Sequence, residues 1–419
     1  MTLIYGLVDM QSFYASCEVA SRREFTVTRR MDRDDSDPAL VVAGDPARRS
    51  GIILAATPPA KARGITTAMR LGEALRLAPE LVVVAPRMRL YIETSARIQQ
   101  TIREHFPLQE QFSVDESFFA FPHPSTLFCD PVAAARGLQQ AIWDQFRIRC
   151  RIGLAPNKWM AKVANNVAKT VAGGIVWWPD GDLLPLHELH VSKMWGLRKR
   201  AHVLELEFGA KTIGDVSRIS RGALRDRFGT WGDVIHRWSH GEDPSPIHPD
   251  AYDAPHKSYS HRVTLPRDFY ARDEVATVIL ELLDEVCRRL RHAGQRGKRV
   301  GLGVTYARFE GGFYRARALT SAHDDARAIY PTLLALLDQH WSGDGIRAVG
   351  VSVDDLKTAA DDQLSLFEDI PKRVQLNRTI DLIHERYGKT SLYRAASLTA
   401  AGQLLSRSKK IGGHWSGTP

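Results

Sequence analysis

The order of the apolar segments constrains the fold of this chain more than any other feature. In the first half, strand-like runs at residues 2–8 and 150–154 alternate with segments of helical spacing at 87–105 and 131–146. A hairpin pattern at residues 112–121 interrupts the alternation. Such interruptions favour an α+β sandwich with a mostly antiparallel sheet over a doubly wound parallel sheet.

Smaller elements are predicted between these segments. Further helices are expected at residues 11–20, 60–77 and 157–169, and further strands at 39–43, 51–56 and 81–85. Residues 24–37 are charged and irregular. From about residue 180 to 245, the pattern changes to short helices with glycine turns.

A second α+β unit is predicted after a proline-rich linker. The linker prolines are Pro244, Pro246, Pro249 and Pro255. The unit's predicted strands and helices lie, in chain order, at 258–265, 273–292, 300–308, 313–320, 325–340 and 346–353. This β-α-β-β-α-β order is typical of a ferredoxin-like unit. Residues 358–372 are expected to form an exposed linker to a short basic tail, with a possible helix at 375–387.

The charge distribution indicates a polyanionic partner. The 419 residues carry a net charge of +9, which favours nucleic acid or an acidic membrane surface. Residues 371–419 hold nine basic and two acidic residues, and Arg288–Arg299 holds six basic residues and no acid. None of the four cysteines forms a CxxC pair, which argues against a disulfide framework or a zinc site. We find neither a signal peptide nor a transmembrane pattern, so a cytoplasmic protein is expected.

Three acidic residues stand beside apolar strand runs. Asp9 ends the first strand, while Asp115 and Glu116 are adjacent in the hairpin. Clustered carboxylates on apolar strands cost free energy, and a divalent cation such as Mg²⁺ would compensate their charge. A pair of such ions suits phosphoryl transfer. From spacing alone, Asp9 as a helix cap and the other two residues in an exposed turn remain an alternative.

Three ordered segments stand out: DMQSFYASCE at residues 9–18, SVDE at 113–116, and NKWMAKVA at 157–164 with Lys169 after it. In the same order they resemble the signatures of the Y-family DNA polymerases, in the UmuC-like branch. The resemblance extends from about residue 2 to residue 367. It implies a right-hand polymerase with a ferredoxin-like palm (1–21 and 77–178), small fingers (22–76), a helical thumb with a helix-hairpin-helix turn (179–245), and a ferredoxin-like little finger (253–357). Residues 358–419 would form a linker with a clamp-binding motif and a basic tail.

The resemblance also implies roles for individual residues. Two Mg²⁺ ions would be bound by Asp9, Asp115, Glu116 and the carbonyl of Met10. Tyr14 would be the steric gate that excludes a ribose 2′-hydroxyl, and Lys61 and Lys169 would contact the triphosphate. The alternatives are a core aromatic for Tyr14 and a solvated lysine at position 61. Lys162 is expected to contact DNA or to be solvated. The sequence departs from some relatives at Pro58, where they have tyrosine, and at Gln11, where they have an acid.

DNA and partner contacts are expected outside the acidic cluster. The turn Trp195–Gly196–Leu197–Arg198 resembles a helix-hairpin-helix turn, with Arg198 in place of its usual second glycine. Residues expected to contact DNA are Arg198, Lys298, Arg299, Arg315 and Arg317. The segment 363–367 resembles the sliding-clamp motif of bacterial polymerases, with contacts from Gln363, Leu364, Leu366 and Phe367.

The expected activity is error-prone, template-directed translesion synthesis from dNTP on primer-template DNA. The short fingers predict weak geometric checking of the nascent base pair. The enzyme is expected to be a monomeric catalytic subunit, with SOS accessory proteins as possible partners. A catalytically dead polymerase-shaped scaffold and another palm-type enzyme, such as a nucleotidyl cyclase, are the alternatives.

Overall fold

The computed structural model describes residues 3–44, 51–122, 130–197, 199–249, 255–358 and 370–416. Two compact units divide the chain, Met1–Ala254 and Pro255–Pro419. Both combine helices with sheets, which confirms the predicted α+β class.

The first unit contains eight strands and twelve α-helices in its described residues. The strands are β1 (Leu3–Met10), β2 (Leu40–Ala43), β3 (Ile53–Ala56), β4 (Val82–Val84), β5 (Leu108–Gln111), β6 (Glu116–Pro122), β7 (Cys150–Ala155) and β8 (Ile175–Trp177). The helices are α1 (Phe13–Ala20), α2 (Arg23–Thr26), α3 (Pro58–Ala62), α4 (Leu71–Leu77), α5 (Met88–His105), α6 (Pro131–Phe146), α7 (Lys158–Ala168), α8 (Leu184–His187), α9 (Lys199–Phe208), α10 (Ile213–Ser217), α11 (Arg221–Phe228) and α12 (Thr230–Ser239).

The larger sheet of this unit has the strand order β5-β6-β1-β7-β8. Its pairs are antiparallel except for β7 with β8, so the predicted mostly antiparallel sheet is confirmed. Helix α7 approaches β7 closely because Gly153 has no side chain. A Cβ there would lie 2.2 Å from the backbone nitrogen of Asn165 and 2.3 Å from the carbonyl oxygen of Ala161. Neither β5 nor β8 was predicted from the sequence.

A second, three-stranded sheet has the order β3-β2-β4 and a small apolar core of its own. The prediction of one helix over residues 60–77 is wrong, because two short helices, α3 and α4, occupy this region. Gly64 ends the first of them with a positive φ of 84°, a conformation that favours glycine. Residues 24–37 are irregular as predicted, apart from the end of α2 and a 3₁₀ turn at Asp34–Ser36.

The proline-rich segment after α12 is not a free linker throughout. Ile247 is buried, and the backbone N–H of His248 donates to Glu110 at 2.7 Å. The Lys158 ammonium donates to the carbonyl oxygen of Pro246 at 3.1 Å. The first part of the predicted linker is therefore anchored to the first unit, because it supplies partners to a buried ion pair.

The second unit has one four-stranded antiparallel sheet with the order β11-β10-β12-β9. Its elements are β9 (Ser258–Phe269), α13 (Arg272–His292), β10 (Gln295–Tyr306), β11 (Gly312–His323), α14 (Ala326–His340) and β12 (Ile346–Thr358). The predicted β-α-β-β-α-β order is confirmed, although the strands are longer than predicted. Strand β12 pairs antiparallel with both β10 and β9, so these two run parallel to each other on either side of it.

Residues 370–416, the last part of the second unit, pack against α13. They form α15 (Ile370–Tyr387), α16 (Leu404–Ser408), β13 (Lys410–Ile411) and β14 (His414–Trp415), so the predicted helix is present and begins earlier. Two ion pairs and one hydrogen bond link this segment to α13. The ion pairs are Arg291–Asp381 and Arg394–Asp284, each at 2.6 Å, and the backbone N–H of Gln403 donates to the carboxylate of Glu281 at 2.9 Å. In the part of the chain that the structure describes, no helix has the length and apolarity needed to cross a membrane.

Candidate active site

Strand pairing brings the three predicted acids together. Asp9 lies near the end of β1, and its partner across the ladder on β6 is Glu116. The backbone N–H of Met10 donates to the carbonyl oxygen of Asp115 at 2.8 Å. Asp9 is more than 100 positions from the other two acids in sequence, yet all three occupy one end of the β1–β6 strand pair.

The helix-cap alternative for Asp9 is wrong. Helix α1 begins at Phe13 and its N-cap residue is Ser12, so Asp9 does not cap it. In the turn that carries Asp115 and Glu116, Val114 is exposed, but the two acids are half-buried and hydrogen bonds hold the turn in place. Ser113 Oγ donates to Asp115 Oδ1 at 2.6 Å, and Ser95 on α5 donates to the carbonyl oxygen of Val114 at 2.6 Å.

Lysine side chains neutralise two of the carboxylates. Lys169 Nζ lies 2.7 Å from Asp9 Oδ2, and the ammonium of Lys162 contacts Glu116. The Lys162 side chain is only 7% exposed, so the alternative that it is solvated is wrong. Burial raises the pKa of Glu116, and the neighbouring carboxylate of Asp9 raises it further, while Lys162 opposes both. The three acids share one end of the strand pair, but within the described ranges no three His, Cys, Asp or Glu side chains are grouped closely enough to hold a metal ion as they stand.

The three acids line a pocket of about 580 Å³. Its charged lining is balanced, with three acids and three bases. They are Asp9, Asp115, Glu116, Lys61, Arg151 and Lys169. The pocket is therefore suited to a ligand that brings both positive and negative charge, such as a metal-bound polyphosphate.

Tyr14 forms one wall of the pocket and is half-buried. Its ring stacks on that of Tyr91 from α5, with centroids 4.6 Å apart and an interplanar angle of 15°. The Tyr91 hydroxyl donates to the buried carboxylate of Glu18 at 2.6 Å. Burial raises the pKa of Tyr14, and Asp115 adds to the shift. Tyr14 is therefore a pocket residue whose ring is supported by Tyr91, not an ordinary core aromatic.

The predicted phosphate-binding lysines both reach this pocket. Lys61 on α3 donates to Ser12 Oγ at 2.7 Å, and Lys169 follows the end of α7. Pro58 stands at the start of α3, where it fits the first helical turn. Lys61 and Lys169 are more than 100 positions apart in sequence, yet both line the pocket that contains the three acids.

The sequence analysis missed three pocket or supporting residues. Arg151 lies opposite Asp9 on β7 and lines the pocket, as does Gln11. Tyr91 supports the Tyr14 ring. Arg151 could have been noticed as a charged residue inside an apolar strand run, whereas Tyr91 has no local signal because its role depends on how α5 packs against α1.

The expected DNA contacts are only partly described. Arg198 lies outside the described residues, although the turn before it has Gly196 at φ 92° and Leu197 buried. On the sheet of the second unit, Arg315 pairs with Leu302 and Arg317 with Val300. Because Leu302 and Val300 are core residues, both arginines lie on the helix-covered side of the edge strand.

The other residues expected to contact DNA lie in described parts of the chain, whereas the clamp-motif residues do not. Arg317 donates to Gln339 of α14 at 2.8 Å, and Arg299 lies 3.8 Å from Asp354. Lys298 is half-buried on β10. The clamp-motif residues Gln363, Leu364, Leu366 and Phe367 lie outside the described residues.

Comparisons with known proteins define the family. Residues 8–166 match the impB/mucB/samB family, and residues 256–366 match the C-terminal domain of that family. A protein named DNA polymerase IV 2 from Halalkalibacterium halodurans is 36% identical over 99% of this chain and 100% of its own length. DNA polymerase IV 2 of Bacillus subtilis is 36% identical over 98% of each chain.

Two further matches agree with these. The putative UV-damage repair protein UvrX of Bacillus subtilis is 31% identical over 97% of this chain and 96% of its own length. A solved chimera of the Y-family DNA polymerases Dbh and Dpo4 has a similar fold, with a TM-score of 0.68 and 20% identity over 84% of this chain and 98% of its own.

The chain belongs to the Y family of DNA polymerases. It is a DNA-directed DNA polymerase of translesion synthesis, a metal-dependent nucleotidyltransferase that binds DNA and deoxynucleoside triphosphates.

Proposed function

We propose that this polymerase transfers a nucleotidyl group from dNTP to a primer 3′-hydroxyl with two Mg²⁺ ions held by Asp9, Asp115, Glu116 and the carbonyl of Met10. The proposal is carried by one observation, the pairing of Asp9 with Glu116 beside Asp115 at the floor of one pocket. Oxygen donors of this kind are those that Mg²⁺ prefers. Two bound ions would activate the attacking hydroxyl and stabilise the leaving oxygen.

The local electrostatics fit a cation site. Burial and the proximity of Asp9 both raise the pKa of Glu116, so added positive charge would favour its ionised form. Lys162 and Lys169 already compensate part of this acidic charge. Lys169 is 45% exposed and is free to turn toward a triphosphate, whereas Lys162 is packed in place.

We assign the remaining nucleotide contacts to residues of the pocket walls. Lys61 and Lys169 bind the triphosphate, and Tyr14 acts as the steric gate beneath the sugar. The stacked Tyr91 ring keeps Tyr14 from withdrawing. We assign the palm to 1–21 and 77–178, the fingers to 22–76, the thumb to 179–245, and the little finger to 253–357.

DNA and partner contacts complete the proposal. Basic residues of the thumb turn and of the second unit bind the DNA backbone: Arg198, Lys298, Arg299, and the exposed Arg315 and Arg317, which reach DNA from the edge strand β11. Such binding is sequence-independent and weakens steeply with salt. The segment with Gln363, Leu364, Leu366 and Phe367 binds the sliding clamp, which raises the local concentration of primer ends. SOS accessory proteins are further partners.

Primer extension with Asp115→Ala tests the metal assignment. We expect extension to fall roughly a thousandfold or more, since metal ions supply several kcal/mol of transition-state stabilisation. Asp144→Ala, an exposed acid on α6, should extend like the wild type. Extension that survives at Asp115→Ala would refute the assignment.

The same preparation separates the two alternatives. A wild-type protein that binds primer-template but never extends it would be a scaffold. Release of a cyclic nucleotide from a nucleoside triphosphate, without DNA, would identify a cyclase.

A further inference from the structure

Arg151 introduces a third cation into the nucleotide pocket. It lies on β7 directly across the ladder from Asp9, and its side chain is 14% exposed. Its guanidinium does not turn to Asp9. Instead, Nη2 lies 3.3 Å and 3.2 Å from the two carboxylate oxygens of Asp34. One edge of the guanidinium is therefore held while the side chain lines the pocket.

Asp34 is itself fixed at a junction. It begins the 3₁₀ turn Asp34–Ser36, and it accepts a hydrogen bond from the amide of Gln11 at 2.7 Å. Arg149, only 1% exposed, lies 3.7 Å from Asp34 and pairs with Asp37 at 2.8 Å. The turn is thus held by Arg151 of β7 and by Gln11, the residue after Met10.

The backbone leaves room for the arginine stem. Gly174 precedes β8 with a φ of 66°, and a Cβ there would lie 2.4 Å from Cδ of Arg151. Any larger residue would push the guanidinium out of its present place. Glycine at this position therefore allows a long cationic side chain to run along the pocket wall.

We propose that Arg151 binds the triphosphate of the incoming nucleotide and that Asp34 is its positioning residue. The inference rests on the proposed function and deepens it. Arg151 shares the pocket with Lys61 and Lys169, and it adds a planar donor that binds phosphate oxygens in pairs, which lysine does not. The Asp34 carboxylate fixes the orientation of that plane, and fixed donors bind more tightly because less entropy is lost.

Steady-state extension on an undamaged template tests the role of Arg151. For Arg151→Gln, we expect the KM for dNTP to rise roughly tenfold or more, the scale of one charge-assisted hydrogen bond. The kcat should change much less, and Arg151→Lys should recover part of the loss. Arg103→Gln, an exposed arginine on α5, is the matched control and should keep the wild-type KM.

Inhibition by pyrophosphate separates a phosphate contact from a structural one. Pyrophosphate carries phosphate charge without base or sugar, so its inhibition constant should weaken in parallel with the KM in Arg151→Gln. The KM for primer-template should stay unchanged. An unchanged KM for dNTP in a folded Arg151→Gln protein, or a pyrophosphate constant equal to that of the wild type, would overturn the proposal.

Asp34→Asn tests the positioning role. It keeps the shape of the side chain and removes its charge, so the KM should rise by roughly twofold to fivefold without a loss of kcat. A lower KM would mean that Asp34 competes with phosphate for Arg151, which would refute positioning. Failure of the proposed function is a separate outcome, because the wild type itself would then not extend a primer.

Discussion

Glu18 offers the sharpest test of how the pocket is supported. Its side chain is fully buried on α1 and receives donors from three residues. Arg87 Nη2 lies 2.6 Å from one carboxylate oxygen, the Tyr91 hydroxyl donates to the other at 2.6 Å, and Arg22 also contacts the group. Glu18→Ala removes the acceptor that holds Tyr91 against Tyr14.

The size of the effect follows from burial. Removing one member of a buried ion pair costs about 3 to 5 kcal/mol. Arg22 and Arg87 are 26% and 38% exposed, so water can partly solvate them, and we expect about 3 kcal/mol. For a unit of this size, that corresponds to a melting temperature lower by roughly 6–12 °C. Glu73→Ala, an exposed acid on α4, should stay within about 0.5 kcal/mol of wild type.

The stability that Glu18 contributes should decrease as the pH falls. Burial alone would raise the pKa of Glu18, but bonds from Arg87, Tyr91 and Arg22 outweigh it and lower the pKa below its usual value near 4.5. A lowered folded-state pKa gives stability that is present above the unfolded value and is lost as the pH falls. The gap between wild type and Glu18→Gln in thermal melting should therefore shrink below about pH 4.5.

The functional readout is sugar selection. Loosening Tyr91 frees Tyr14, so the ratio of kcat/KM for dCTP over rCTP should fall in Glu18→Ala and in Glu18→Gln. Melting within about 2 °C of wild type would refute the stability argument. A lower melting temperature with unchanged sugar discrimination would refute the link from Glu18 through Tyr91 to the gate.

Two further predictions concern buried charge. Lys158→Met should lower the free energy of unfolding by about 3 to 5 kcal/mol in urea titrations, because it leaves the 10%-exposed Glu110 unpaired. Adding Glu110→Leu should recover most of the loss, and a single-variant cost under about 1 kcal/mol would contradict this account. Burial, and then Arg407 and Arg289, lower the pKa of His261 to about 4. Because the folded state disfavours the charged ring, the protection of β9 amides against hydrogen exchange, taken relative to the chemical exchange rate at each pH, should fall as the pH drops from about 6.5 toward 4, and His261→Phe should remove that trend.

Much of the local chemistry of the site can be predicted from short segments of the chain. Asp9 at a strand end, the adjacent pair Asp115–Glu116, and Lys169 after a helix are each visible in short apolar contexts. Apolar periodicity was enough to predict α5, α6, α7 and the order of elements in the second unit, because these features depend on neighbours within one turn or one strand. It failed over residues 60–77, where helical spacing continues across the turn at Gly64.

Which of these groups come into contact depends on long-range packing. A one-residue slip between β1 and β6 would turn every side chain to the other face, so the pairing of Asp9 with Glu116 depends on the packing of the whole sheet. The same holds for Lys162 on Glu116 and Arg151 on Asp34, which are joined across 46 and 117 positions. The packing of residues 370–416 against α13 also depends on long-range ion pairs. Contacts of this kind are selected by the burial of a shared core, and no short stretch of sequence encodes that core.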